Sequence, residues 1–108
     1  MTEEGSSYLL VDAERLQRAA DILKTVAHPA RLAIIHFLEA GEQSVVQICE
    51  WLNAPQPYVS HQLGLMKAKG IVSSRRNGNR IMYSVVNRSV IDVIHCVRKH
   101  GQGHEECP

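Results

Sequence analysis

Residues 55–80, Pro-Gln-Pro-Tyr-Val-Ser-His-Gln-Leu-Gly-Leu-Met-Lys-Ala-Lys-Gly-Ile-Val-Ser-Ser-Arg-Arg-Asn-Gly-Asn-Arg, constrain the fold more than any other stretch. Val59, Leu63 and Met66 recur at i, i+4 and i+7, the period of one buried helix face. Pro57 suits the first turn of that helix and Gly70 its end. Ile71 to Arg76 and Arg80 to Val85 follow as strands, Ile81, Tyr83 and Val85 alternating with Arg80, Met82 and Ser84. Asn77-Gly78 between them predicts a tight hairpin with positive φ at both central positions.

The rest of the chain supplies helices around this unit. Residues 1–8 read as a loose tail, and Asp12 can cap a first helix running to about Ala27. Leu16, Ala19, Ala20, Leu23, Val26 and Ala27 make one stripe on it. His28-Pro29 interrupts, because proline disfavours helical geometry in the residue before it. A second helix then runs to Gly41. Its nearly continuous apolar run, Leu32 to Leu38, places it at the centre of the core, with His36 expected as a packed, hydrogen-bonded histidine. Ser44 can cap a short third helix carrying Val45, Ile48, Cys49 and Leu52, which Asn53-Ala54-Pro55 breaks. Two helices joined by a tight turn, the second entered through a proline, follow the helix-turn-helix plan. After the hairpin, Asn87 caps a last helix from Arg88 to about His100, with Val90, Ile91, Ile94 and Val97 on one face. Residues 101–108 read as a short tail. The expected fold is one domain over 1–108, mainly α, with five helices and a β-hairpin between the fourth and the fifth.

Charge distribution narrows the function. Net charge is only +1, but no acidic residue lies between Glu50 and Asp92, while Lys67, Lys69, Arg75, Arg76, Arg80 and Arg88 all do. A phosphate-facing surface needs cations without interleaved carboxylates, since each neutralised phosphate releases condensed counterions. There is no glycine-rich phosphate loop, paired-carboxylate cleft or activated nucleophile, so the chain does not read as an enzyme. The polar, acidic start is unlike a signal peptide and no apolar run would span a bilayer, so the expected compartment is the cytoplasm, with no membrane partner. Three cysteines do not make a disulfide framework; in a reducing compartment they are thiols, ligands or redox switches.

With Val59, Leu63 and Met66 facing the core, the opposite side of the fourth helix carries Tyr58, His61, Gly64, Leu65 and Ala68, flanked by Ser60 and Gln62. Gly64 and Ala68 are small enough to let the helix approach the floor of a major groove. Gln62 can pair with adenine, Ser60 with several bases, and Leu65 with a thymine methyl. Gln56, Tyr58 and Ser60 can hold phosphates. Arg75, Arg76 and Arg80 at the hairpin end can reach an adjacent minor groove or its phosphates. The DNA-binding set is therefore Gln56, Tyr58, Ser60, His61, Gln62, Leu65, Arg75, Arg76 and Arg80. A module used only for protein contacts is the alternative from another class.

These motifs in this order resemble the ArsR/SmtB family of winged helix-turn-helix repressors. The resemblance rests on Leu23 to Leu38, Gln56 to Leu63, Lys69 to Val72 and Arg75 to Tyr83, and covers about residues 12–100. It implies a homodimer built from the first and last helices, with Leu16, Leu23, Val90, Ile94 and Val97 at the interface. It also implies a double-stranded operator of two-fold symmetry, and repression relieved when an inducer binds or a thiol is modified. The family's reading positions fall on Tyr58, Ser60, His61 and Gln62.

The inducer sites of the family are only partly matched. Its arsenic-type Cys-x-Cys pair corresponds to Ser44 and Val46 here, so that site is absent. Its zinc-type site begins with Asp-x-His where this chain has Asn87-Arg88-Ser89. What remains is Cys96, His100, His104 and Cys107, with Cys49 as a possible third sulfur. Two thiolates and two imidazoles suit a Zn- or Cd-like ion, and two or three thiolates an As- or Sb-like one. Oxidation or sulfide chemistry at the same thiols is the alternative switch.

Overall fold

His28 ends one helix and starts the next. Its backbone is extended (φ −155°, ψ 128°), and its Nδ1 accepts a hydrogen bond from the Ala30 N–H at 3.2 Å. The computed structural model describes the backbone of residues 2–106 and the side chains of 12–96 and of Lys99. In chain order the elements are α1 (Thr2–Val26), α2 (Pro29–Glu39), β1 (Gln43–Ser44), α3 (Val45–Leu52), α4 (Gln56–Ala68), β2 (Val72–Asn77), β3 (Arg80–Val85) and α5 (Arg88–Glu106). This is a winged helix-turn-helix: five helices, with the wing between α4 and α5.

α2 lies at the centre, as its apolar run predicts. Ile34 and Ile35 are fully buried and Leu38 nearly so. Around them pack Val26 of α1, Ile48 of α3, Val59, Leu63 and Met66 of α4, Ile71, Val72 and Val85 at the base of the wing, and Val90, Ile91 and Ile94 of α5. Burying that many aliphatic side chains, at roughly 1.5–3 kcal/mol each, is the main term holding the helices together. Ser44 caps α3 through a full capping box: its hydroxyl accepts from Gln47 N–H at 3.1 Å, and Gln47 Oε1 accepts from Ser44 N–H at 2.9 Å. Asn87 caps α5 by accepting from Ser89 N–H at 3.1 Å.

Several expectations are corrected. α1 begins at Thr2, not Asp12; the segment ahead of Asp12 holds no proline, and Gly5 alone does not stop a helix. α5 likewise continues through Gly101 and Gly103 to Glu106. A third strand is present. β1 pairs antiparallel with β3 (Gln43↔Tyr83, Ser44↔Met82), giving the sheet order β1-β3-β2. Two residues are too short a strand to leave an alternation in sequence. The hairpin loop is Gly78-Asn79, one residue later than expected, since Asn77 pairs with Arg80. Gly78 has φ +67° and Asn79 does not share it, the pattern of a type II′ turn, in which only the first central residue needs positive φ. His36 is exposed rather than packed; its Nδ1 lies 3.6 Å from Glu39 Oε1. Glu39 also meets His95, tying α5 to α2.

The proposed interface residues divide in two. Val90 and Ile94 are buried inside this chain's own core, because α5 lies across α2. Leu16 and Leu23 on α1 are 59% and 48% exposed, and Val93 on α5 is also exposed. Ala19, Ile22, Leu23, Val26, Val90 and Val93 line an almost wholly apolar groove of about 190 Å³ between α1 and α5. The side chain of Val97 lies outside the described residues. Among the described residues no helix is long and apolar enough to cross a membrane.

Candidate nucleic-acid interface

The turn into α4 is set by two residues. Asn53 takes the left-handed conformation (φ 54°, ψ 50°) that ends α3, its N–H bonding back to Glu50 C=O at 3.2 Å. Pro55 follows in extended geometry, and Val59 N–H returns to Pro55 C=O at 3.1 Å to start α4. Val59, Leu63 and Met66 are fully buried and fix the rotation of α4 about its axis. Gln56, Tyr58, Ser60, His61, Gly64, Leu65 and Ala68 are exposed, as the spacing predicts. Tyr58 is 40% and Leu65 36% exposed, so the outer face presents two large apolar groups and no acid.

Gln62 does not belong to that face. It is 4% exposed, and its Oε1 accepts from Arg31 Nε at 2.7 Å. Arg31 Nη1 in turn donates to Thr25 C=O at 2.9 Å, so the pair ties α4 to α2 and to the end of α1. Position 62 is i+3 from Val59, within the buried stripe. A polar side chain there needs a buried partner, and Arg31 provides it. Arg31 carried no sequence signal beyond its charge.

The wing continues the α4 surface on one side. Lys67 Nζ donates to Ser74 Oγ at 2.8 Å. Side chains alternate along a strand, so Arg76 follows Ser74 on the α4 side and Arg75 points to the other face. There Arg75 meets Glu42 side-on, Nε to Oε2 at 2.6 Å and Nη2 to Oε1 at 2.8 Å. That hydrogen bond, reinforced by charge, holds the Glu42 carboxyl below its ordinary range and raises the Arg75 guanidinium above its own. Glu42 lies outside the acid-free stretch and reaches the wing only because β1 joins the sheet. Arg76 and Arg80 are exposed.

The sensor residues are placed unevenly. Cys96 is exposed on α5. Cys49 is half-buried on α3 and packs against the core; burial pushes its thiol up, favouring the less reactive protonated form. The side chains of His100 and His104, and Cys107 altogether, lie outside the described residues. Among the described residues no three His, Cys, Asp or Glu side chains gather in a group that would hold a metal ion.

Comparison with known proteins agrees with this architecture. The profile of the bacterial regulatory protein arsR family matches residues 28–74. An HTH-type transcriptional regulator of Methanocaldococcus jannaschii, MJ1325, is 38% identical over 85 residues, covering 78% of this chain and 96% of that protein. The homodimeric winged helix-turn-helix DNA-binding domain of Mb0332 from Mycobacterium bovis superposes with a TM-score of 0.79 at 28% identity, covering 88% of each chain. The transcriptional repressor BigR from Xylella fastidiosa superposes with a TM-score of 0.75 at 31% identity, covering 92% of this chain and 95% of that one.

Proposed function

The chain belongs to the ArsR family of bacterial regulatory proteins, DNA-binding transcriptional regulators rather than enzymes, and from that premise we propose how it binds and what releases it. It binds as a homodimer to a two-fold symmetric operator. Gln56, Tyr58, Ser60, His61 and Leu65 of α4 meet the major groove, and Arg76 and Arg80 of the wing meet the neighbouring backbone. The observation that carries this is the outer face of α4: free of acid, small at Gly64 and Ala68, and continuous with the wing through Lys67 and Ser74. A solvated surface helix would interleave Glu and Lys there.

The dimer is supported by Leu23, exposed on one side of the apolar groove between α1 and α5, and by Leu16, exposed further along α1. A partner helix laid there would remove them from water, worth about 25 cal/mol per Å² of apolar surface. A dimer that reads two half-sites must hold its reading helices about one duplex turn apart.

Release is the second part of the proposal. A thiophilic metal or metalloid ion, held through Cys96 with His100, His104 and Cys107, would cross-link the end of α5 and change the angle between the two halves. The support is the exposure of Cys96 and the ligand spacing that follows it. A favoured misfit of a few kcal/mol is enough to empty an operator. Oxidation or persulfidation of Cys96 is the competing switch, since the same exposure opens it to oxidants.

Nuclease footprinting on DNA upstream of the chain's own gene tests the first part. Two protected half-sites centred about one helical turn apart are expected. Protection of a single half-site by a monomer would reject the dimer, and no protection at any site would reject DNA binding. Adding Zn²⁺, Cd²⁺, arsenite or antimonite to the reduced complex tests the second part. Dissociation only by oxidant or polysulfide would replace the metal reading with the thiol one.

A further inference from the structure

Arg75 and Arg76 are neighbours in sequence but stand on opposite faces of the wing. On one face, Val72 enters the core, Ser74 is bonded to Lys67 of α4, and Arg76 comes next. Their partners across the hairpin are Val85, Tyr83 and Ile81. On the other face, Arg75 sits in a row with Met82 of β3 and Ser44 of β1. Glu42 is two residues before Ser44 and shares its side of the sheet. Its carboxylate reaches over β3 and grips Arg75 through two hydrogen bonds, at 2.6 and 2.8 Å. Ser44, at the other end of that short strand, is the cap of α3, the first helix of the helix-turn-helix.

We propose that Glu42 and Arg75 form a strut that fixes the lean of the wing, and that both are positioning residues acting through Arg76 rather than DNA contacts. The proposal rests on the DNA-binding reading above. The strut spans the whole sheet, from β2 over β3 to β1, and ends beside the entrance of α3. The wing is therefore held from both faces: by Lys67 and Ser74 on the α4 side, and by Glu42 and Arg75 on the other. Without the second hold the hairpin keeps its ladder but gains freedom to rock about its base. A bidentate guanidinium–carboxylate pair suits this role because its planar fork fixes orientation as well as distance. Charge argues the same way. A guanidinium already paired to a carboxylate brings little net positive charge to a phosphate, so it releases few counterions, whereas Arg76 has no such carboxylate among its neighbours in the ladder.

The experiment is a fluorescence anisotropy titration of the upstream duplex at several salt concentrations between 0.05 and about 0.3 M, a range over which each phosphate contact shows in the slope. Circular dichroism melts confirm that each variant is folded. Arg76→Ala is expected to reduce the salt slope of the dimer by about 1.8 and to weaken binding about sixty-fold at 0.1 M salt, the signature of one lost phosphate contact in each protomer. Arg75→Ala and Glu42→Gln are expected to weaken binding by matching factors while keeping the wild-type slope. Decisive is the charge swap, Glu42→Arg with Arg75→Glu. If the pair is a strut, the swap recovers binding that Arg75→Glu alone loses. If Arg75 touches DNA, a glutamate at 75 repels the backbone and the swap binds no better than Arg75→Glu alone. That result, or a slope reduced by about 1.8 in Arg75→Ala, overturns the proposal. Failure of the wild-type chain to bind any duplex would instead defeat the DNA-binding reading, a separate outcome visible before any variant is made.

Discussion

Replacing Gly64 by alanine should move stability and DNA affinity in opposite directions. Gly64 lies in the middle of α4, is exposed, and has no atom within 4 Å of where a Cβ would stand. Its backbone is ordinary helix, so alanine fits without strain. A glycine inside a helix costs roughly 0.5–1 kcal/mol relative to alanine, chiefly through backbone entropy. Gly64→Ala should therefore raise the melting temperature, by roughly 3–6 °C for a chain of this size. Nothing inside the protein explains why that stability is forgone; a close approach to DNA does. If this face sits on the groove floor, the added methyl overpacks the contact at about 1–3 kcal/mol in each half-site, so the dimer loses roughly 30-fold or more in affinity. Thermal melts by circular dichroism at fixed chain concentration, run beside anisotropy titrations, read both quantities. A variant that is more stable and binds as tightly as wild type would refute the placement of this face in a groove.

Gln62→Ala should lower the melting temperature by roughly 6–10 °C and leave sequence preference unchanged. The lost bond to a half-buried guanidinium is worth about 1.5 kcal/mol, the low end for charged partners; an unchanged melt with relaxed preference at one base pair would return Gln62 to the groove. The carboxyl of Glu42 is depressed in the folded chain, so its contribution is complete above the ordinary value of 4.5 and is lost as pH falls through the folded value. Urea midpoints of wild type and Glu42→Gln should converge as pH drops below 4.5, and a constant gap down to pH 3 would mean the pair is not made in solution. At neutral pH a disulfide-exchange reagent should label Cys96 well before Cys49, whose burial keeps it protonated, as peptide mapping would show. Equal labelling rates would mean that α3 opens readily.

The helix count, the reading helix and the wing were legible because each carries a short-range signal. Val59, Leu63 and Met66 give the period, Ser44 and Asn87 give caps, and Asn77-Gly78 gives a turn to within one residue. The misplaced features depend on contacts between residues far apart in sequence. Gln62 is polar, and only Arg31, thirty-one residues upstream, explains why it is buried. Arg75 belongs to an acid-free stretch in sequence, yet the fold brings Glu42 to it across a strand too short to leave a pattern. Val90 and Ile94 lie on one apolar face with nothing local to say whether that face meets the chain's own core or a partner; α2 already covers it. α1 extends ahead of Asp12, whose capping side chain is only a local signal, and α5 runs on through Gly101 and Gly103, which without a proline do not stop it.

The central claim is that the outer face of α4 reads base pairs. Its most direct test is the ratio of affinities for the upstream duplex and a scrambled duplex of equal length, measured by anisotropy for wild type and for the Ser60→Ala/His61→Ala double variant. Both residues are exposed at the N-terminal end of α4 and neither packs in the core, so the fold should survive. Each base-edge contact is worth about 1–3 kcal/mol of discrimination. The ratio should therefore fall by roughly 5- to 150-fold or more, while affinity for the scrambled duplex stays near the wild-type value. A double variant that keeps the wild-type ratio would contradict the account.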